Sequence, residues 1–236
     1  MVEARTKLAG IRVIVFDLDD TLIDNKKLDF ESFKHLSYGL GLYMPTMHEI
    51  IELRCRSLRA KDIISWMIER SKKSVSRTFC MEERKKFLKL EGAGRLIRIK
   101  PKSRSTLQEL KSRGYLLILA TVRDDKNAVL DLLRKRKLAE FFTSVYTNPS
   151  RILDETTKIS NPDVETVKFK IYREILCDLK VFSNECLVVG DTLQDLSPAL
   201  SLGMKAIGTK GSYRTDPAMI GTVEIVENLS DLVKLL

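Results

Sequence analysis

The strongest chemical signal in the sequence is a group of carboxylates at the end of an apolar segment. Asp17, Asp19 and Asp20 directly follow the run IRVIVF, within the stretch FDLDDTL. Alternate residues of a strand point to the same side, so Asp17 and Asp19 are predicted to face one side together. Neighbouring carboxylates are costly unless a cation or a shared proton compensates their charge. An Asp-rich turn after the strand is the alternative interpretation.

A second acidic pair repeats this pattern in the stretch VVGDTLQD. Asp191 ends another apolar run, and Asp195 lies four residues later, one helical turn away. A strand-to-helix turn with a capping Asp would explain this stretch alone. If both apolar runs are neighbouring strands of one parallel sheet, however, the two acidic groups converge at one edge. Ligation by oxygen without His or Cys favours a hard cation, and Mg²⁺ fits such a set best.

Candidate phosphate-binding residues also lie at the ends of predicted elements. Thr121 ends the apolar run LLILAT, where its hydroxyl and nearby backbone N–H groups could hold phosphate oxygens. Lys168 lies near the start of the helical stretch VETVKFKIYREILCDL, where the helix dipole disfavours a cation. That mismatch indicates a lysine that neutralises an anion. Lys170 is the competing candidate, and an ordinary surface lysine is the remaining interpretation.

Apolar segments of strand length alternate with helical segments through most of the chain. Strands are predicted at IRVIVF, LLILAT, SVYT, ECLVVGD, MKAIGT and VEIV. Near-continuous apolar strands separated by helices are typical of a parallel sheet that is covered on both faces. We therefore predict an α/β fold with a doubly wound, Rossmann-like parallel sheet, whose ligands bind at the carboxyl ends of the strands.

Residues 24–100 interrupt this alternation with segments of helical spacing and almost no strand character. We predict a core domain at 1–23 and 101–236, and a small all-helical cap domain at 24–100. Inserts of this kind commonly lie over a binding face and act as lids. The insert has 18 Lys and Arg against 10 Asp and Glu, an excess of +8, while the whole chain carries +9. This charge favours anionic ligands, and a solvated basic face is the alternative.

The bulk composition excludes several classes of protein. The hydrophobic content of 44% is enough for a sizeable core, and the apolar runs are far shorter than the ~20 residues of a membrane helix. The start, MVEARTKLAGIRVIVF, lacks the apolar region and cleavage site of a secretory signal. We expect a cytoplasmic protein that does not contact membranes. The four cysteines include no CxxC pair, which argues against a zinc site.

The motifs together resemble those of the haloacid dehalogenase superfamily of phosphotransferases. FDLDDTL matches the first motif, LILAT the second, a lysine on a helix the third, and VVGDTLQD the fourth. The resemblance covers residues 11–16 and 101–236, and it places the helical insert where the family carries its helical cap. The third motif departs from many relatives, which carry Lys-Pro where this chain has Thr166 and Val167.

This resemblance implies a phosphatase that hydrolyses a phosphate monoester. Asp17 would be the nucleophile that forms an aspartyl-phosphate. Asp19 would act first as the general acid toward the leaving oxygen and then as the base for the attacking water. Thr121 and Lys168 would bind the transferring phosphoryl group. The expected partner is a small phosphorylated substrate.

The resemblance also implies a magnesium site at the same place. Mg²⁺ would be held by Asp17, by the backbone carbonyl of Asp19 and by Asp191. Asp195 would be a further ligand or would orient waters on the metal. The cation would offset the charge of both the nucleophile and the phosphate.

Three other functions stay open at this point. A dehalogenase of the same superfamily needs neither an acid at Asp19 nor the magnesium ligand Asp191, so these residues argue against it. A phosphomutase uses the same residues as a phosphatase, and retention of phosphate on a sugar would distinguish it. A non-catalytic protein that binds nucleic acid or another anion would rest on the basic insert, although no aromatic-interleaved basic motif supports it. The substrate and the oligomeric state are left undecided.

Overall fold

Two structural units make up the chain. The computed structural model describes residues 8–56, 58–90, 92–148, 164–213 and 217–236. The core unit comprises Met1–Leu22, Ile99–Gly211 and Thr215–Leu236. The helical unit comprises Ile23–Arg98 and Ser212–Arg214. The short segment 212–214 therefore belongs to the helical unit, which the sequence pattern did not indicate.

One six-stranded sheet forms the centre of the core unit. Its strands, numbered along the chain, are β1 (Val13–Phe16), β4 (Leu116–Ala120), β5 (Ser144–Tyr146), β6 (Cys186–Gly190), β7 (Lys205–Thr209) and β8 (Glu224–Val226). Their order across the sheet is β5-β4-β1-β6-β7-β8, and the neighbouring strands pair in parallel. This arrangement, with helices around it, confirms the predicted α/β class.

Strand β1 lies at the middle of the sheet, and all four of its residues are buried. A strand buried on both faces reads as a continuous apolar run, which is why IRVIVF shows no alternation. Phe16, its last residue, pairs with Leu119 of β4 and with Val189 of β6. The three central strands therefore end at nearly the same level, and the residues that follow them share one edge of the sheet.

Five α-helices of the described residues belong to the core unit, four of them between strands and one after the last strand. They are α5 (Ser103–Ser112), α6 (Lys126–Lys135), α7 (Val164–Leu179), α8 (Leu193–Ser201) and α9 (Leu232–Leu235). Asp125 caps α6, because its side chain accepts a hydrogen bond from the N–H of Ala128 at 2.9 Å. The apolar side of α7 packs with alternate residues of β1, β4 and β6 in one core cluster, and Ile171 and Ile175 are fully buried there.

The helical unit has its own core. Its helices are α1 (Lys26–Leu40), α2 (Met47–Cys55), α3 (Ala60–Ser71) and α4 (Arg77–Leu88). Buried apolar residues from all four meet in one cluster that includes Phe33, Ile50, Ile63 and Cys80. Two two-residue strands, β2 (Ile23–Asp24) and β3 (Arg98–Ile99), pair where the chain enters and leaves this unit. Strands this short carry no recognisable period, so the sequence did not reveal them.

A buried ion network, here named the Asp29 cluster, lies within the helical unit. Asp29 accepts hydrogen bonds from Arg54 at 2.7 and 2.8 Å, from Arg84 at 2.6 Å and from the hydroxyl of Tyr213 at 2.9 Å. Burial alone would raise the pKa of Asp29, but the two guanidinium groups and the hydroxyl outweigh it and lower that pKa. The carboxylate therefore stays ionised in the folded protein.

Within residues 8–56, 58–90, 92–148, 164–213 and 217–236, no helix combines the length and the apolar character needed to span a lipid bilayer.

Candidate active site

The carboxyl ends of three central strands bring together residues from distant parts of the sequence. Asp17 follows β1 directly, and its N–H donates to the carbonyl of Val189 in β6 at 2.9 Å. Thr121 follows β4 and is fully buried, and its N–H donates to the carbonyl of Tyr146. Asp191 follows β6 directly. Each of these candidates thus lies at the edge where a parallel sheet binds its ligands.

Lys168 of α7 contacts Asp17, the candidate nucleophile. Its side chain is 0% exposed, and its ammonium group donates to Asp17 Oδ1 at 2.6 Å and to the carbonyl of Ala120 at 2.9 Å. Asp195 Oδ1 lies 3.2 Å from the same nitrogen. Lys170, two residues further along the helix, is exposed. Of the two lysines proposed from the sequence, Lys168 is the one that contacts the acidic group.

Asp17, Asp191 and Asp195 form a group that could hold a metal ion. Each offers a carboxylate oxygen, and these three oxygens lie within 4.8 Å of one another. The Thr21 hydroxyl donates to Asp191 Oδ1 at 3.0 Å and orients it. The hydroxyl of Tyr172 donates to the backbone carbonyl of Asp195 at 2.9 Å, which fixes the first turn of α8.

Gly190 allows the close approach of Asp195 to β6. A Cβ added at Gly190 would lie 2.9 Å from the Cβ of Asp195, closer than real Cβ contacts allow. Thr192 also donates a short hydrogen bond to Asp195 Oδ2. The turn GDTLQD therefore does more than cap a helix, because Asp191, Thr192 and Asp195 each make a specific side-chain contact.

Burial controls the electrostatics of this acidic group. It raises the pKa of Asp17 to about 7, with further increases from Asp195 and Asp19, while Lys168 acts in the opposite direction. Burial and the neighbouring carboxylates also raise the pKa of Asp191 well above its usual range. The pKa of Lys168 is raised as well, because Asp17 and Asp195 outweigh the effect of its own burial.

The chemistry of these ligands fits a hard divalent cation. All three side chains are carboxylates, and neither His nor Cys belongs to the group. A divalent cation prefers the ionised form of each carboxylate, so it would reverse the effect of burial on their pKa values.

Asp19 has a different environment from the three-carboxylate group. Arg123 donates hydrogen bonds to both carboxylate oxygens of Asp19, from Nε to Oδ2 at 2.9 Å and from Nη2 to Oδ1 at 2.6 Å. Arg123 was not among the site residues predicted from the sequence. Its position two residues after Thr121, at the same strand end as the other candidates, could have indicated that it belongs to the site.

A family model described as haloacid dehalogenase-like hydrolase matches residues 14–209. A curated relative from Thermotoga maritima, named phosphorylated carbohydrates phosphatase, is 26% identical over 230 residues, which cover 92% of this chain and 94% of the relative. Another, from Pyrococcus furiosus and named glyceraldehyde 3-phosphate phosphatase, is 29% identical over 224 residues, which cover 86% of this chain and 82% of that relative.

Solved structures share the fold at lower sequence identity. One from Haemophilus somnus, described as a predicted phosphoglycolate phosphatase, superposes with a TM-score of 0.72 at 16% identity. The match covers 96% of this chain and 98% of that one. The matched part of the chain therefore includes residues of both units.

Proposed function

The chain belongs to the haloacid dehalogenase-like hydrolase family, and we propose that it is a Mg²⁺-dependent phosphatase acting through an aspartyl-phosphate on Asp17. One observation carries this proposal. A fully buried ammonium group, Lys168, holds the carboxylate of Asp17 at 2.6 Å beside two further carboxylates. Buried charges at this density lower the stability of the fold, and they are typical of a site that handles a charged substrate.

Asp17 would supply the nucleophilic oxygen. The ammonium group of Lys168 favours the ionised form of Asp17 and so opposes the effect of burial on its pKa. Lys168 engages Oδ1, so the other oxygen of Asp17 would attack phosphorus. The P–O bond to the leaving group breaks as the bond from Asp17 forms, and water later hydrolyses the resulting acyl phosphate.

Asp19 would handle the protons of both steps. It would donate one to the leaving-group oxygen and later accept one from the attacking water. Thr121, fully buried at the end of β4, would hold a phosphoryl oxygen through its hydroxyl. Lys168 would offset the charge that develops on the phosphoryl group, the kind of stabilisation on which phosphoryl transfer depends.

A magnesium ion would be held by the carboxylates of Asp17 and Asp191 and by the backbone carbonyl of Asp19. Asp195 would be a further ligand or would orient waters in the same site. When bound, the ion would supply positive charge that offsets the nucleophile and the phosphate. The proximity of the carboxylates of Asp17, Asp191 and Asp195 supports this assignment.

Small phosphorylated metabolites are the proposed substrates. Two curated relatives are named for phosphorylated carbohydrates and for glyceraldehyde 3-phosphate, and each match covers more than four fifths of both chains. We therefore propose a sugar phosphate or a three-carbon phosphate as the first compounds to test.

The test is the variant Asp17→Asn, assayed with p-nitrophenyl phosphate in the presence of Mg²⁺. The amide has nearly the same shape but is a very poor nucleophile, so turnover should fall below detection. Asp131→Asn, which alters an exposed carboxylate on α6, is the matched control and should retain wild-type turnover. Wild-type activity in Asp17→Asn would refute the nucleophile assignment, and phosphate retained on a sugar product would indicate a mutase.

A further inference from the structure

The ion pair between Asp19 and Arg123 is placed where it can respond to a phosphate. Its two parallel hydrogen bonds engage both carboxylate oxygens of Asp19. In this geometry the side chain that is proposed to protonate the leaving group is committed to another partner. Catalysis through Asp19 therefore requires that at least one of these hydrogen bonds be exchanged.

The two ion pairs of this site differ sharply in their exposure. The side chains of Lys168 and Asp17 are 0% and 7% exposed, whereas those of Arg123 and Asp19 are 30% and 33% exposed. A buried pair is held in place because separating it leaves uncompensated charges in a low-dielectric interior. A pair that is one-third exposed is weaker and exchanges partners at modest cost. Lys168 is thus fixed, and Arg123 can move.

Arg123 also lies beside the position that a phosphoryl group would occupy. It follows Thr121 by two residues, and its N–H donates to the Thr121 hydroxyl at 3.3 Å. Its own carbonyl accepts from the N–H of Asn148 at 2.9 Å, which anchors the turn. The guanidinium pKa is raised because Asp19 and, more weakly, Asp17 and Asp20 outweigh the effect of partial burial. The guanidinium therefore stays charged within the field of the nucleophile.

We propose that Arg123 holds Asp19 as a carboxylate in the resting enzyme and transfers to an oxygen of the phosphoryl group when the substrate enters. The released carboxylate, which is 33% exposed, takes up a proton from solvent and then passes it to the leaving-group oxygen. Arginine suits this exchange because its planar fork matches carboxylate and phosphate equally well, and the phosphate carries more charge. The proposal rests on the phosphatase function proposed above and names Arg123 as a substrate-binding residue that also positions the acid and base.

The experiment is a double-mutant cycle on the binding of inorganic phosphate, measured by calorimetry in the presence of Mg²⁺. Arg123→Ala should weaken phosphate binding roughly 10- to 100-fold, as expected for the loss of a charge-assisted hydrogen bond. Asp19→Ala should tighten it, because Arg123 then reaches phosphate without first breaking its two hydrogen bonds to Asp19. The factor by which Asp19→Ala increases phosphate affinity should be at least about threefold larger with Arg123 present than in the Arg123→Ala background.

Simple charge repulsion between Asp19 and phosphate cannot produce this result. Repulsion is the same in both backgrounds to first order, so it cancels in the cycle, and only the competition for Arg123 remains. Arg123→Lys, which keeps the charge but loses the fork, should bind phosphate with intermediate affinity. Circular dichroism melting of all variants reports whether each is folded.

The outcomes separate this inference from the proposed function. If the wild-type chain hydrolyses phosphate esters but the cycle is additive, or Arg123→Ala binds phosphate normally, Arg123 has only a structural role. If the cycle is non-additive but the wild-type chain does not turn over, the exchange stands and the phosphatase proposal fails. A wild-type chain that neither binds phosphate nor turns over phosphate esters would overturn both.

Discussion

Replacing Lys168 by methionine removes one charge from the site with little change in side-chain length. The lost ammonium group contacts Asp17 at 2.6 Å, the carbonyl of Ala120 at 2.9 Å and Asp195 at 3.2 Å. Methionine can still fill the space between α7 and the sheet, because it is unbranched and flexible. The substitution therefore tests the charge of Lys168 rather than its packing.

The structure sets the expected size of the effect on stability. Removing one partner of a buried ion pair typically destabilises a protein by about 3–5 kcal/mol. Asp17 can limit this loss by taking up a proton, because its pKa is already about 7 and rises further without Lys168. We therefore expect a loss near the lower end, about 3 kcal/mol, measured as the free energy of unfolding in urea.

The effect on catalysis should be similar in free energy and should depend on pH. Loss of one positioned charge at a transition state typically lowers kcat by about 10²- to 10³-fold. Attack requires ionised Asp17, so activity falls as the pH drops through its pKa. Lys168 lowers that pKa, so in Lys168→Met the acidic limb of the kcat profile should move to higher pH.

Lys170→Met is the matched control for this prediction. It removes the same charge from the same helix, but at an exposed position. Its free energy of unfolding should stay within about 0.5 kcal/mol of the wild type, and its kcat within about twofold. The reasoning is refuted if Lys168→Met retains near-wild-type kcat, or if Lys170→Met loses as much.

Two further predictions concern the cation and the helical unit. Mg²⁺ should raise the melting temperature more at pH 8 than at pH 5. The pKa values of Asp17 and Asp191 are raised, so protons compete with the cation for these carboxylates in acid. Equal shifts of the melting temperature at both pH values would contradict the predicted metal site. Asp29→Asn should lower the free energy of unfolding in urea by about 3–5 kcal/mol, whereas Glu83→Gln, at an exposed ion pair of the same unit, should change it by less than about 1 kcal/mol. Because the pKa of Asp29 is lowered in the folded state, its contribution to the free energy of unfolding should be present above about pH 4 and lost as the pH falls further. Equal losses of stability in Asp29→Asn and Glu83→Gln would contradict the role of the Asp29 cluster.

Local sequence patterns were sufficient to locate the strand ends that build the site. Asp17 and Asp191 each follow an uninterrupted apolar run, and such runs indicate strands that are buried on both faces. The pattern could not give the order of those strands, which determines that β1 lies between β4 and β6. Their convergence was predicted from the chemistry of the carboxylates, because repelling charges at two strand ends are explained by a shared cation.

Features that depend on contacts between distant side chains left no trace in the local pattern. Arg123 looks like any charged residue in a turn, and only the fold brings it to Asp19. Tyr213 follows β7 in the sequence but belongs to the helical unit, where its hydroxyl donates to Asp29 of α1. Such pairs have no period and no fixed spacing, so neither propensity nor hydrophobic patterning can reveal them.

The charges at the edge of the sheet indicate why the proposed reaction would require both a divalent cation and Arg123. The carboxylates of Asp17, Asp191 and Asp195 carry three negative charges when ionised, and Lys168 supplies one positive charge, which leaves a formal charge of −2. A divalent cation would neutralise that charge, but a phosphoryl group would then add about two negative charges to a nearly neutral site. Arg123 is a cation within the electrostatic field of Asp17. It can offset part of the added negative charge once its hydrogen bonds to Asp19 break. The release of the acid and the binding of the substrate are then one event, since the same guanidinium cannot fully serve both anions.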